Sequence, residues 1–208
     1  MPRKIESLFL AGQAGRLEAL LEEPDQAASG IALVCHPHPQ HGGTMHNKVV
    51  YRVAKGLRRS GHVVMRFNYR GVNLSEGAYA HGEGELDDAR VALEVLLSRY
   101  PALPVTLAGF SFGSRIALRM GCAEGAPAAR RVIAVGFPTV YQNRSFLEGC
   151  TVPRIFIQST RDQYGPVEEL GPLVEALPEP KQLIWIEAQD HFFASALEQL
   201  EESVVQLG

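Results

Sequence analysis

Apolar runs of strand length alternate with segments of helical period along most of this chain. The runs are Ile31–Cys35, His62–Asn68, Val105–Gly109, Val132–Phe137, Arg154–Ser159 and Lys181–Glu187. Runs such as IALVC and VIAVGF are continuous rather than alternating, the pattern of strands covered on both faces, as in a parallel sheet between helices. Between them, Leu86, Ala89, Leu93, Leu96, Leu97 and Tyr100 recur at helical spacing and lay one apolar stripe on the sheet. Val49, Val50, Val53, Ala54 and Leu57 do the same ahead of Gly61, which ends that helix. Ile116, Ala117 and Met120 predict a shorter helix, Val167–Leu177 another, and Phe192–Leu207 a last one. Upstream, Ser7–Leu10 and Leu17–Leu21 flank a turn from Gly12 to Gly15 and predict an antiparallel hairpin. The whole reads as an α/β fold, a doubly wound and mostly parallel sheet preceded by that hairpin.

The chain has 208 residues, 46% of them hydrophobic and 21% charged, the composition of one globular domain spanning residues 1–208. A net charge of -3 with both signs interspersed excludes a polybasic nucleic-acid surface. No window reaches the roughly 20 apolar residues of a membrane span. The amino-terminal segment lacks the roughly 7–15-residue apolar stretch of a secretory signal, so a cytoplasmic protein is expected. Cys35, Cys122 and Cys150 are too few and too widely spaced for a disulfide scaffold, and reduced thiols fit that compartment.

The chemistry concentrates where Val105–Gly109 runs into Gly109-Phe110-Ser111-Phe112-Gly113 and then into a helical pattern. A G-x-S-x-G at a strand-to-helix turn sets a serine on a strained backbone that only small neighbours permit. Its hydroxyl then stands at the carboxyl end of the sheet, beside a helix N-terminus that stabilises negative charge. The competing reading is a tight glycine turn with an incidental serine, and the strand before and helix after the pentapeptide count against it.

A nucleophilic serine requires a base, and the base an orienting carboxylate. Asp162 follows strand Arg154–Ser159, and His191 follows strand Lys181–Glu187. Each alone reads as well as a loop or helix-entry residue, but the order Ser, Asp, His at successive strand ends matches one serine-hydrolase arrangement. Asp190 is a rival acid, although neighbours on an extended loop point apart; Asp87 and Asp88 rank lower.

Four histidines, His36, His38, His41 and His46, crowd the loop after Ile31–Cys35. In the serine-hydrolase arrangement with that chain order, this loop carries the second oxyanion donor, a backbone N–H. Pro37 and Pro39 have no N–H, which leaves the backbone N–H of His38 to join that of Phe112. A metal site competes for these imidazoles, but the loop has neither a C-x-x-C nor an H-E-x-x-H pattern.

These segments, C-H-P-H-P-x-x-G-G-T-M at Cys35 to Met45, Asn47-Lys48-Val49-Val50, Arg66-Phe67-Asn68-Tyr69-Arg70-Gly71-Val72, Gly109 to Gly113 and Asp190-His191-Phe192-Phe193, resemble the α/β-hydrolase superfamily. The similarity is to its small lidless bacterial serine esterases, related to dienelactone hydrolases, and it spans nearly the whole chain. It implies Ser111 as nucleophile, Asp162 as acid and His191 as base. Two departures stand out: Asn73 replaces a glycine of the R-G-x-G-x-S-x-G pattern, where asparagine tolerates positive φ, and the acid loop reads Ser159-Thr160-Arg161-Asp162.

The expected activity is hydrolysis of small carboxylic esters or thioesters through an acyl-enzyme, with no cofactor or metal, no nucleic-acid partner and no membrane partner. A peptidase or lactone hydrolase would use the same triad, and a non-catalytic binding module or a metal-binding protein are rivals of other classes. Only residues 138–153 separate strand Val132–Phe137 from strand Arg154–Ser159, too few for a helical cap. An open site lined by Phe110, Tyr141, Phe192 and Phe193 is therefore expected, with a preference for short acyl groups.

Overall fold

In the computed structural model, which describes residues 5–123 and 128–208, the chain forms one eight-stranded sheet flanked by helices. The basic start of the amino-terminal segment lies outside the described residues. β1 (Ile5–Gly12) and β2 (Gly15–Glu22) make the expected hairpin, longer at both ends than the apolar pattern predicts, because pairing continues from Ile5 opposite Glu22 to Gly12 opposite Gly15 at the turn. β2 lies antiparallel to β4 (His62–Phe67). From there β4, β3 (Gly30–Cys35), β5 (Val105–Phe110), β6 (Ala129–Val135), β7 (Arg154–Ser159) and β8 (Lys181–Ile186) run parallel, in the order β1-β2-β4-β3-β5-β6-β7-β8.

Continuous apolar runs become strands buried on both sides, and successive residues divide between two cores. Ile31, Leu33, Val105 and Leu107 pack with helices α2 (Glu83–Arg99) and α3 (Phe112–Cys122) and with Leu170 and Val174 of α4 (Val167–Ala176). Ala32, Val34, Ala108 and Phe110 pack with α1 (Lys48–Arg59) and α5 (Leu197–Gln206) on the opposite face. This is the doubly wound arrangement that two-sided burial requires.

Two expectations are corrected here. The last helix starts at Leu197, not Phe192: Asp190 Oδ1 accepts the N–H groups of Phe192 and Ala194, and Phe193 and Ser195 take positive φ, so a side-chain-closed turn replaces the first helical turn. Cys122 and Cys150 are joined in a disulfide, not reduced; they lie 28 residues apart in sequence and meet because α3 ends beside the loop leading into β7. That bond removes the cysteine argument for a reducing compartment. Cys35 is free and buried, and burial pushes its thiol up to about 12, far from a reactive thiolate. Among the described residues no helix is long and apolar enough to cross a membrane.

Candidate active site

β5 delivers Ser111 to the carboxyl edge of the sheet at φ 56, ψ -122, a strained conformation for a residue with a side chain. Its neighbours explain the glycines. A Cβ on Gly109 would lie 2.1 Å from the Gly113 carbonyl oxygen, and one on Gly113 would lie 2.3 Å from that of Cys35. The elbow is thereby pressed against the end of β3. Ser111 is pinned by its own N–H to Val135 O at 2.9 Å, while Ser114 Oγ donates to its carbonyl at 2.6 Å.

Asp162 and His191 come together although 29 residues separate them. His191 Nδ1 donates to Asp162 Oδ2 at 2.7 Å, with Asp162 2% and His191 2% exposed. Asp162 Oδ1 accepts the N–H groups of Tyr164 at 2.8 Å and Gly165 at 3.2 Å, and its Oδ2 also accepts Gln158 Nε2 at 2.9 Å. The imidazole packs on the ring of Phe110 at 4.8 Å, with Tyr164 and Phe192 edge-on at 4.8 and 5.4 Å. Gly136, at φ 58, makes room beneath: a Cβ there would meet Phe110 at 2.8 Å and His191 at 3.1 Å. His191 Nε2 is buried without a hydrogen-bond partner among the described residues. The rival Asp190 is spent on its own turn, as described above.

The loop after β3 is tied down by the residues of the Arg66–Val72 segment. Arg66, ion-paired with Glu22, donates to Met45 O at 2.7 Å; Asn68 Oδ1 accepts Met45 N–H at 2.8 Å; and Tyr69 N–H donates to His36 Nε2 at 3.1 Å. Arg70 grips Asp88 of α2 at 2.7 Å, and Asn73 takes positive φ, 48, as expected of its substitution for glycine. Both ring nitrogens of His36 are engaged, Nδ1 with Pro37 O at 2.7 Å, and burial drives its pKa down to about 3. His38 accepts Gln40 N–H at Nδ1 and meets the Tyr79 hydroxyl at Nε2, 3.1 Å away, with burial first and the neighbouring His41 second lowering its pKa. The His38 ring lies 5.0 Å from that of Phe112, and the backbone N–H groups of both residues donate to no acceptor among the described residues.

Ser111, His191 and His38 line one open cavity of about 200 Å³, together with Pro37, His41, Gly42, Gly43, Asn47, Pro138, Val140, Tyr141, Tyr164 and Phe192. Of the four aromatics expected as lining, Tyr141 and Phe192 face this cavity. Phe110 and Phe193 are not: both are fully buried in the core, Phe110 as a bed for His191. Sequence reasoning misses Asn47, Pro138, Val140 and Tyr164, which the loops carry in, and Gln158, whose signal is a lone amide inside the buried run of β7.

A family model described as an alpha/beta hydrolase domain matches residues 30–203. The chain belongs to the α/β-hydrolase family. An uncharacterized protein of Rickettsia prowazekii (strain Madrid E) is 33% identical to this hydrolase over 206 residues, 95% of this chain and 86% of that one. Among solved structures, an alpha-beta serine hydrolase homologue from Coxiella burnetii is 32% identical, with a TM-score of 0.91 over 97% of this hydrolase and 96% of that chain. A member of the a/b serine hydrolases without lid, from Xanthomonas campestris, is 31% identical, with a TM-score of 0.89 over 99% and 94%.

Proposed function

We propose that this α/β hydrolase is a serine hydrolase that cleaves small carboxylic esters or thioesters through an acyl-enzyme on Ser111. The observation that carries the reading is the buried Asp162–His191 hydrogen bond sharing a cavity with a serine held at positive φ. Ser111 Oγ attacks the substrate carbonyl carbon and passes its proton to His191 Nε2. Asp162 holds the Nδ1–H tautomer and stabilises the imidazolium that forms. The N–H groups of His38 and Phe112 donate to the oxyanion, as groups aimed before charge develops. His191 then protonates the departing alkoxide or thiolate. Water, deprotonated by the same nitrogen, releases the acid. The kinship with dienelactone hydrolases rests on sequence resemblance alone.

The test is labelling by a fluorophosphonate serine probe alongside hydrolysis of p-nitrophenyl acetate. Wild type labels at Ser111 and turns over, and Ser111→Ala does neither. Labelling at another residue, or equal turnover by Ser111→Ala, overturns the reading.

A further inference from the structure

We propose that Gln158 is a positioning residue of this site: its side-chain amide fills one acceptor position on Asp162 Oδ2 and thereby fixes where the carboxylate can hold His191. The inference rests on the serine-hydrolase reading above. Gln158 sits at the end of β7, fully buried. Its Oε1 accepts Phe137 N–H at 2.8 Å, and its Nε2 lies 3.3 Å from Phe137 O, 3.0 Å from Gly165 O and 2.9 Å from Asp162 Oδ2. The amide therefore stands between the chain leaving β6 and the acid loop like an extra peptide group, satisfied on both sides. Gly165 is required for this fit, since a Cβ there would come within 2.4 Å of Gln158 Nε2.

A carboxylate offers about four acceptor positions. Here the two on Oδ1 are taken by the N–H groups of Tyr164 and Gly165, and Oδ2 receives Gln158 and His191. With three donors supplied by fixed parts of the fold, one direction remains for the imidazole. Preorganised support of this kind keeps a reacting group within the narrow geometry that turnover needs. Gln158 lines no part of the cavity, so its contribution belongs to kcat and not to KM.

Gln158→Glu is nearly isosteric. Its first oxygen still accepts Phe137 N–H, but the second faces only acceptors and must carry a proton to stay. Once that carboxyl ionises, two negative groups within hydrogen-bond reach repel, and Asp162 is pushed off its alignment. The variant-to-wild-type kcat ratio for p-nitrophenyl acetate should fall about tenfold or more between about pH 6 and about pH 8.5, with KM within about twofold. A ratio flat with pH, or a loss carried by KM, overturns the proposal. Gln158→Met, which has no donor, guards against a misfolded acid variant: the downfield proton resonance of His191 Nδ1–H should shift or broaden, and an unchanged resonance overturns the proposal. Ser111→Ala separates the two readings. Turnover by that variant sinks the nucleophile assignment, whereas the effect of Gln158 on the Nδ1–H resonance is read without turnover.

Discussion

Gly113→Ala tests whether the elbow and the His36–Asn47 loop act as one piece of geometry. The added Cβ would sit 2.3 Å from Cys35 O and 2.5 Å from His36 O, both main-chain atoms of the strand end that begins the loop. Neither is the far end of a flexible side chain, so relief requires the first turn of α3 and the end of β3 to part by about 1 Å, the scale at which misplacement costs about a hundredfold in rate. Overpacking costs about 1–3 kcal/mol, and the better helix propensity of alanine in α3 returns about 1 kcal/mol. The net of about 0–2 kcal/mol corresponds to a fall in Tm of at most about 8 °C for a domain of this size. Thermal melts give the first quantity and kcat/KM for p-nitrophenyl acetate the second. Gly149→Ala is the control, because a Cβ there meets nothing within 4 Å. If Gly113→Ala matched that control in both Tm and kcat/KM, close packing of elbow against loop would not be what sets the backbone N–H groups of His38 and Phe112.

Three other outcomes follow from the structure. His36 and His62 are pushed down to about 3 and about 4 by burial, so the unfolded chain takes up protons below about 6.5 that the folded chain refuses. Stability is then full above about pH 6.5 and falls by about 2 kcal/mol or more by about pH 4.5, read from urea midpoints, and equal midpoints would contradict it. Reducing the Cys122–Cys150 bond, which closes a loop over a separation of 28 residues, should cost about 3–4 kcal/mol and lower Tm in dithiothreitol; an unchanged Tm refutes this. Across p-nitrophenyl esters of rising acyl length, kcat/KM should peak at short chains, since methylenes beyond a cavity of about 200 Å³ stay in water and forgo about 0.8 kcal/mol each; a maximum at dodecanoate would refute it.

The sheet was legible because two-sided burial leaves unbroken apolar runs, and the Asp162–His191 pair because a parallel sheet brings its carboxyl ends to one edge. What escaped depends on local competition that periodicity does not record. β6 starts at Ala129 and stops at Val135, ahead of the apolar Phe137, because Gly136 takes positive φ to clear Phe110 and His191. Phe110 looked like lining because it adjoins Ser111, yet alternate strand residues face opposite sides, and its side chain enters the core below the histidine. Gln158 reads as an interruption in RIFIQS until the acid four residues later is seen to need a donor. The disulfide joins residues whose proximity arises only once α3 lies against the sheet.

The connection between β6 and β7 carries only the short 3-10 turn Ser145–Leu147, and it is fastened down. Thr139 N–H bonds to Tyr164 O, Arg115 bonds to Asn143 O and lies over Tyr141 and Phe146, and Cys150 is tied to α3. A mouth held this way needs no hinge motion to admit a molecule from water, so no opening step precedes chemistry and an oil–water boundary offers nothing for the protein to unfurl against. Turnover of a sparingly soluble ester would accordingly follow its dissolved monomer, level off as micelles form, and show none of the interfacial activation that distinguishes lidded lipases.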